Sequence, residues 1–454
     1  LSSVDTSSGA AVMSVHSLSP GNQARDPATP LVRLDGRRRF QLIEGFGGAL
    51  TQSCVANIEK LSADERHELI EQAFSPERGA LSYLRVPVGA TDFSTTNYTY
   101  ADDAKLGLAG FSISHDQPTL DLLKEILVVN PRLQIMLSVW SPPRWMKDND
   151  RYDAGHIKPQ DLDLYAQYFV KTILAYEANG LKVHAMTVLN EPHFPEPISM
   201  WNSTQMTPQG EEDFVINHLR PALRAAGLSP LVYVNDHNFE YAPDYVTILK
   251  SASMRASIAG LAFHCYYGTL AQATALQTEF PGIQLLNTEC TATLGNHDAD
   301  DFAWWIDNQA VASQNAGFSG SVGWNFCLDQ NGRPINRDQS WIPLLGLNVD
   351  KICKDCRGMV TIDQASTPPK LVFNPEYQAL SLMARAEDPG AYRIRAEISG
   401  PDWIDATAAM NPDGSYGVVI ENKGSAPENV QVQDESCQTI HVSIAARGAV
   451  SLRW

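Results

Sequence analysis

Two glutamates, Glu191 and Glu289, stand where their chemistry could cooperate. Each follows a short apolar run. Val183-His184-Ala185-Met186-Thr187-Val188-Leu189 leads into Asn190-Glu191-Pro192, and Ile283-Gln284-Leu285-Leu286 leads into Asn287-Thr288-Glu289-Cys290. Runs of this kind read as buried parallel strands, and the C-terminal mouth of such strands is where barrel folds carry reactive groups. One glutamate after a strand is as often a helix cap or a surface carboxylate. Two of them, in the two halves of one repeating pattern, point to the paired carboxylates that cleave glycosidic bonds. In that chemistry Glu191 protonates the departing oxygen and later deprotonates water, while Glu289 attacks the anomeric carbon. A gap of about 5 to 5.5 Å between them would make the reaction retaining.

The elements that must position these groups are legible as an alternation of β-rich runs and longer helical patterns from Gln41 onward. The eight expected strands are Leu42 to Phe46, Ser82 to Val88, Gln134 to Val139, Val183 to Leu189, Leu231 to Asn235, Gly260 to His264, Gln284 to Asn287 and Ser321 to Phe326. Between them, apolar residues recur three or four apart, as in Asp161 to Glu177 and Glu212 to Ala226, the spacing of amphipathic helices. Eight such repeats fit an α/β chain closed as a (β/α)8 TIM barrel better than an open sheet. The ends differ. After a helix around Pro375 to Ala386, short alternating runs separated by turns such as Asn411-Pro412-Asp413-Gly414 predict an antiparallel β domain. Period-two fragments at Ala11 to Val15 and Leu31 to Leu34 are expected to add strands to it. The predicted organisation is N-terminal strands over 1–38, the catalytic barrel over 39–388, and the rest of a side β-sandwich over 389–454, packed rigidly together.

The strand ends carry a consistent inventory: Arg85 and Asp92 after the second, Trp140 after the third, Asn190-Glu191 after the fourth, Asp236-His237 after the fifth, His264 and Tyr266 after the sixth, Glu289 after the seventh, and Trp324-Asn325 at the eighth. Carboxylates and amides orient sugar hydroxyls, and aromatic rings stack on the apolar face of a pyranose. Asn190 is expected to donate to the sugar 2-hydroxyl, Arg85 to keep Glu289 ionised, and His264 and Tyr266 to hold Glu289 in place. The plainer alternatives are an Arg85–Asp92 structural ion pair and Trp140 as core.

Composition sets the outer limits. The 454 residues suffice for one barrel and an accessory domain, and 44% hydrophobic with 19% charged residues is ordinary globular usage. The net charge of −18, with no Lys/Arg cluster, argues against a nucleic-acid partner and for a neutral substrate. No run approaches a membrane span, and a single-chain monomer is expected. Seven cysteines leave at least one unpaired within the chain. Cys353-Lys354-Asp355-Cys356 reads as a local disulfide rather than half a zinc site, because no second CxxC or histidine pair accompanies it. Cys265, Cys290 and Cys327, in or just after apolar strands, read as buried free thiols. No metal or other cofactor is expected. The Ser/Thr-rich start and the triplets Asn97-Tyr98-Thr99 and Asn202-Ser203-Thr204 are compatible with a secreted protein.

The ordered segments Glu44-Gly45-Phe46-Gly47-Gly48-Ala49, Leu84-Arg85-Val86-Pro87, Thr91-Asp92-Phe93-Ser94, Trp140-Ser141-Pro142-Pro143, Asn190-Glu191-Pro192, Phe263-His264-Cys265-Tyr266, Thr288-Glu289-Cys290 and Trp324-Asn325-Phe326 resemble glycoside hydrolase family 30. The resemblance implies a barrel with a side β-sandwich built from both chain ends, and retaining hydrolysis of a β-glycoside without a cofactor. It implies Glu191 as acid/base, Glu289 as nucleophile, and a glucose subsite formed by Arg85, Asp92 and Trp140. Within the family, Thr288-Glu289-Cys290-Thr291, Trp324-Asn325-Phe326-Cys327-Leu328-Asp329 and Cys353-Lys354-Asp355-Cys356-Arg357-Gly358 resemble the microbial endo-β-1,6-glucanases more than the related glucosylceramidases. The loop 333–351 is unusual in that company and is expected to shape the outer subsites. The expected activity is endo-β-1,6-glucanase acting on a β-linked oligo- or polysaccharide. Alternatives are an exo-acting β-glucosidase or glucosylceramidase, a β-xylanase or xylosidase, and a carbohydrate-binding protein without turnover. The last would require one of the two glutamates to be misplaced.

Overall fold

Eight parallel strands close into a barrel in chain order: β1 (Gly45–Ala49), β2 (Tyr83–Val88), β3 (Gln134–Val139), β4 (Val183–Thr187), β5 (Leu231–Asn238), β6 (Gly260–His264), β7 (Gln284–Glu289) and β8 (Phe318–Gly323), with β8 pairing back onto β1. This is a computed structural model that describes residues 1–6, 11–15, 27–193, 201–338 and 353–454. The expected loop 333–351 therefore lies outside the described residues from 339 onward.

Strands β2, β3, β4, β6 and β7 fall within two residues of the sequence expectation. The other three differ for identifiable reasons. The apolar residues before Gly45 belong to a 12-residue strand, Leu31–Leu42, that pairs with Tyr392–Ser399 in the side domain. That strand runs through position 38, where the sequence suggested a division. β1 is instead glycine-rich. Gly45 has φ +140°, and a Cβ on Gly47 would sit 1.7 Å from the Tyr83 carbonyl oxygen, so neither place suits a side chain. β8 starts earlier, at Phe318, and leaves Trp324 just beyond its end. β5 continues to Asn238 through a bulge, with left-handed backbone at Asn235 (φ 72°) and Asp236 (φ 42°).

The barrel interior is layered by the period-two alternation of strands. Tyr83, Met136, Ala185, Tyr233, Ala262, Leu286 and Val322 form one apolar layer. Two residues further along most strands come Arg85, Ser138, Thr187, His264 and Thr288, all buried and all polar. The barrel is thus plugged by hydrocarbon below and carries a buried polar floor above it. Helices such as Gln117–Val129, Leu162–Ala178 and Leu270–Glu279 surround the sheet. The expected helix Glu212 to Ala226 is realised as Pro208–Asp213, a π-helical turn Phe214–Leu219, and Arg220–Ala225.

The side domain is one nine-stranded sheet built from both chain ends, in the order Val12–Val15, Ser2–Asp5, Ala449–Arg453, Tyr416–Asn422, Ile404–Met410, Tyr392–Ser399, Leu31–Leu42, Glu428–Gln433 and Thr439–Ile444. It departs from the antiparallel expectation at one pair, Leu31–Leu42 with Glu428–Gln433, which is parallel. Val32, Ile404, Val418, Val430, Ile444 and Val450, from strands across the whole sheet, share one apolar core, so the sheet closes over itself as a sandwich. Helix Pro375–Ala386 is buried along nearly its whole length between β1 and Ala449–Arg453 and joins the two bodies.

The cysteines correct the sequence reading. Cys54 pairs with Cys327, and Cys265 with Cys290, so the three expected free thiols are all in disulfides; Cys353–Cys356 is the local disulfide expected, and Cys437 is the free, exposed thiol. Of the two glycosylation triplets, Asn202 is buried, which leaves no room for a glycan in the folded chain, and the Asn97 amide donates to the Asp338 carbonyl at 2.7 Å. Among the described residues no helix is long and apolar enough to cross a membrane.

Candidate active site

A pocket of about 520 Å³ opens at the C-terminal mouth of the barrel, lined by Asp92, Trp140, Asn190, Glu191, Trp201, His237, Asn238, Tyr266, Tyr267, Glu289, Thr291, Trp324 and Cys353. All the predicted site residues except Arg85 and His264 reach this surface. Those two lie directly beneath it, fully buried, and hold the carboxylates from below.

Arg85 on β2 is the hub. Its Nη1 donates to Glu289 Oε2 at 2.7 Å, its Nη2 donates to Asp236 Oδ2 and Asn190 Oδ1, each at 2.8 Å, and its Nε donates to Ser138 Oγ at 3.0 Å. The guanidinium also lies 4.6 Å from the Trp140 ring centroid, and Trp140 stacks on Trp324 at 5.2 Å. The alternative in which Arg85 pairs with Asp92 is therefore not realised. Trp140 is buried, but it lies in the pocket wall. Because Asn190 Oδ1 is taken by Arg85, its amide N–H groups remain as the donors it can offer a ligand.

Glu289 also accepts from the Tyr266 hydroxyl at 2.9 Å. His264 contacts both carboxylates, with Nδ1 at 2.9 Å from Glu191 Oε1 and 3.7 Å from Glu289 Oε1, while Nε2 meets Asp236 Oδ1 at 3.2 Å. The expectation that His264 holds Glu289 needs correcting: its hydrogen bond goes to Glu191. Glu191 itself has left-handed backbone (φ 48°), fixed by its N–H donating to the Asp236 carbonyl at 3.0 Å. Such a conformation is costly for a non-glycine residue and persists only where its surroundings enforce it.

Asp236 is the residue that strand-end reasoning undervalued. It accepts from Arg85, from Thr187 Oγ1 at 2.7 Å and from Thr288 Oγ1 at 2.6 Å, and is fully buried. Period two from Tyr233 points at Asn235; the bulge in β5 turns the next residue inward instead. No pattern in the sequence marks that bulge. Burial alone would raise the Asp236 carboxyl, but Arg85 and His264 outweigh it and hold the group well below the carboxylate range. Burial works against the His264 cation, yet Glu289, Asp236 and Glu191 push it up to about 9. His237, buried and beside that cation, is pushed down to about 3. Burial raises Glu289, opposed by the charges of His264 and Arg85. Asp92 is raised by burial and by the neighbouring charges of Glu289 and Glu191. Trp201, Tyr267, Asn238 and Thr291 also line the pocket, outside the set chosen from sequence; Asn238 closes β5 beyond its bulge and the others sit past the strand ends, where periodicity gives no signal.

A family model for the glycosyl hydrolase family 30 TIM-barrel domain matches residues 43–343, and one for the glycosyl hydrolase family 30 beta sandwich domain matches residues 390–452. The chain belongs to glycosyl hydrolase family 30. This family 30 chain is a glycoside hydrolase, and its pocket has the paired carboxylates that such chemistry uses. It is 27% identical to the endo-1,6-beta-D-glucanase BGN16.3 of Trichoderma harzianum over 428 residues, 88% of this chain and 82% of that one. It is also 27% identical to the lysosomal acid glucosylceramidase of Mus musculus over 440 residues, 89% and 79% of the two chains. Among solved structures it resembles the endo-beta1,6-glucanase BT3312, with a TM-score of 0.85 and 27% identity over 93% of each chain.

Proposed function

We propose that this family 30 enzyme is a secreted endo-β-1,6-glucanase that hydrolyses its substrate with retention of configuration. The observation that carries the reaction type is the bridging of both glutamates by His264. Its Nδ1 is 2.9 Å from one Oε1 and 3.7 Å from the other, so these two oxygens are no farther apart than those distances laid end to end. That upper limit only reaches the start of the inverting range of about 6.5 to 9.5 Å and leaves room for the retaining gap of about 5 to 5.5 Å.

Glu289, ionised between Arg85 and Tyr266, attacks the anomeric carbon while Glu191 protonates the departing oxygen. One negative charge leaves Glu289 as it becomes an ester, and one appears on Glu191 as it loses its proton. The cationic His264 touches both positions, so it stabilises the charge before and after the transfer without moving. Water, deprotonated by Glu191, then releases the sugar. Asp92, Trp140 and Trp324 supply the carboxyl and rings of a glucose subsite, with Asn190 donating to the 2-hydroxyl.

The linkage rests on likeness over most of the chain to proteins named endo-1,6-β-glucanases. Three disulfides support an oxidising, extracytoplasmic setting. The equal identity to the mouse glucosylceramidase favours one second reading, an exo-acting glucosidase. A time course on the β-1,6-glucan pustulan, with laminarin, xylan and glucosylceramide alongside, tests these. The expected result is a ladder of mid-sized products from pustulan and a first-formed β-anomer by NMR. Glucose alone from the start would mean exo action, and a first-formed α-anomer would remove the retaining mechanism.

A further inference from the structure

Beyond the catalytic pocket, a second concavity of about 550 Å³ begins at Thr291, which lines both, and runs past Thr293, Asn296 and Asp300 to Trp304. We propose that this concavity is an outer sugar subsite, in which a further glucose unit of the glucan chain stacks on Trp304. The proposal rests on the glucanase reading and extends it to a place in the molecule.

Trp304 is 42% exposed, whereas Trp305 beside it is buried and meets it edge-on at 5.9 Å. An exposed indole bordering a cavity that shares the wall residue Thr291 with the reactive one offers the flat apolar face that a pyranose ring stacks upon. The polar side chains around it keep capacity for hydroxyls. Thr293 Oγ1 accepts from Asn296 Nδ2 at 2.7 Å, which leaves the threonine O–H as a donor and the Asn296 carbonyl oxygen as an acceptor. Asp300 uses Oδ1 to accept from Arg447 at 2.6 Å, which leaves Oδ2. Short polar groups, one large ring and a negative rather than positive charge suit a neutral polyhydroxyl chain. They do not suit an anion or a lipid tail.

The concavity is also built rigidly, which lowers the cost of ordering a ligand there. Ala292 and Thr293, which line it, belong to a two-stranded ribbon with Cys356–Arg357, reinforced by Leu294 N–H donating to the Asp355 carbonyl at 2.7 Å. The Cys353–Cys356 disulfide ties the second ribbon strand at Cys356 to Cys353, which lines the catalytic pocket. Arg357, buried, bridges Asp301 and Glu376 at 2.7 Å each, and Arg447 reaches across from the sandwich to Asp300. The CxxC segment therefore has a physical role here: it links the ribbon beside the second concavity, at Cys356, to the wall of the catalytic pocket, at Cys353.

The test uses β-1,6-linked gluco-oligosaccharides of graded length with the whole enzyme. For the wild type, kcat/KM should rise with chain length until the outer subsite is filled. Trp304→Ala should reduce the ratio of kcat/KM for the longest to that for the shortest oligosaccharide by about tenfold, the loss expected for one stacking contact. Trp304→Tyr should recover most of that ratio. Thr293→Val, nearly isosteric, should lower the same ratio by a smaller factor and reads the site from the ribbon side if the tryptophan variant does not fold. An unchanged ratio in folded Trp304→Ala, or an equal loss at every length, would overturn the subsite while leaving the glucanase reading intact. No cleavage of any β-1,6-linked oligosaccharide by the wild type would overturn both.

Discussion

Removing single groups separates chemistry from scaffolding in this site. Glu191→Ala deletes the proton donor but not the nucleophile, so activity on the natural glycan should fall by several orders of magnitude, and much less on a dinitrophenyl glucoside, whose leaving group needs no proton. Kinetics on the two substrates check this; equal losses would make Glu191 a structural residue. Asp236→Asn tests the floor beneath. The variant keeps size and some hydrogen bonding but strips the countercharge from the fully buried Arg85 and His264. Breaking a buried pair on one side costs about 3 to 5 kcal/mol, so urea unfolding should show a loss of that order together with lost activity. A variant as stable as the wild type would mean that Arg85 is held by Glu289 and Asn190 alone. The contrast between these residues also explains what was readable in advance. Glu191, Glu289, Asp92 and Trp140 stand at or just past strand ends, and Arg85 follows Tyr83 by two on the inward face of β2, so type and position coincide. The weight of Asp236 depends on a bulge that breaks the two-residue period, and the attachment of His264 to Glu191 rather than Glu289 depends on distances across the barrel.

Strands whose side chains alternate or run apolar against the hydrophobic layer declare themselves, which is why β2, β3, β4, β6 and β7 lie where the pattern puts them. β1 does not, because close approach to β2 selects glycine over any apolar marker. Ile404–Met410 carries little signal for a similar reason: Ile-Asp-Ala-Thr-Ala-Ala-Met is alanine-rich and lacks the β-branched alternation that signals a strand. Disulfide connectivity is less legible still. Cys54 and Cys327 are 273 residues apart, and nothing local records that the first helix, Gln52–Ile58, lies against the segment after β8. Cys265–Cys290 joins the ends of β6 and β7, immediately beside Tyr266 and Glu289. Replacing both of these cysteines by serine should therefore act on catalysis as well as on stability. Stability should fall by about 2 to 5 kcal/mol, as for other native disulfides. Turnover of the still-folded variant should also fall, up to about 100-fold, because small misplacements of a reacting group are that costly. Full turnover per folded molecule would show that the strand ends hold the nucleophile without the crosslink.

Taken as one body, the protein holds buried carboxyl groups outside the catalytic pair, and they set how stability follows pH. Glu211, beneath the barrel helices, accepts from the Tyr245 hydroxyl, and Glu387, at the junction with the sandwich, accepts from Gln314; the second oxygen of each has no partner among the described residues. Burial pushes each of them up to about 8, and it does the same to Glu421 despite the nearby Lys423. An unfolded chain releases these protons near pH 4.3, so between there and about 8 the native state binds more protons and stability must fall as pH rises. His264 acts in the same direction at higher pH: its contribution is complete below about 6.5 and is lost as pH rises through about 9. Lys147, pushed down to about 7 by burial, opposes the trend above that value. His237 and His193, pushed down by burial to about 3 and about 4, oppose it below about 6.5, but three raised carboxyls outweigh two histidines between about pH 5 and about pH 7.5. Asp236 sets the acid limit, since its depressed carboxyl stabilises the fold above about pH 3.9 and that contribution drains away as the pH falls further. Repulsion within a chain of net charge −18 adds to the alkaline loss. The maximum should therefore lie at mildly acidic pH, with urea unfolding giving a larger free energy at about pH 5 than at about pH 7.5. Glutamine at both 211 and 387 should shrink that difference, because an amide has no proton to release. A wild type that gains stability from about pH 5 to about pH 7.5 would show that these carboxyls are ionised and paired in the folded state.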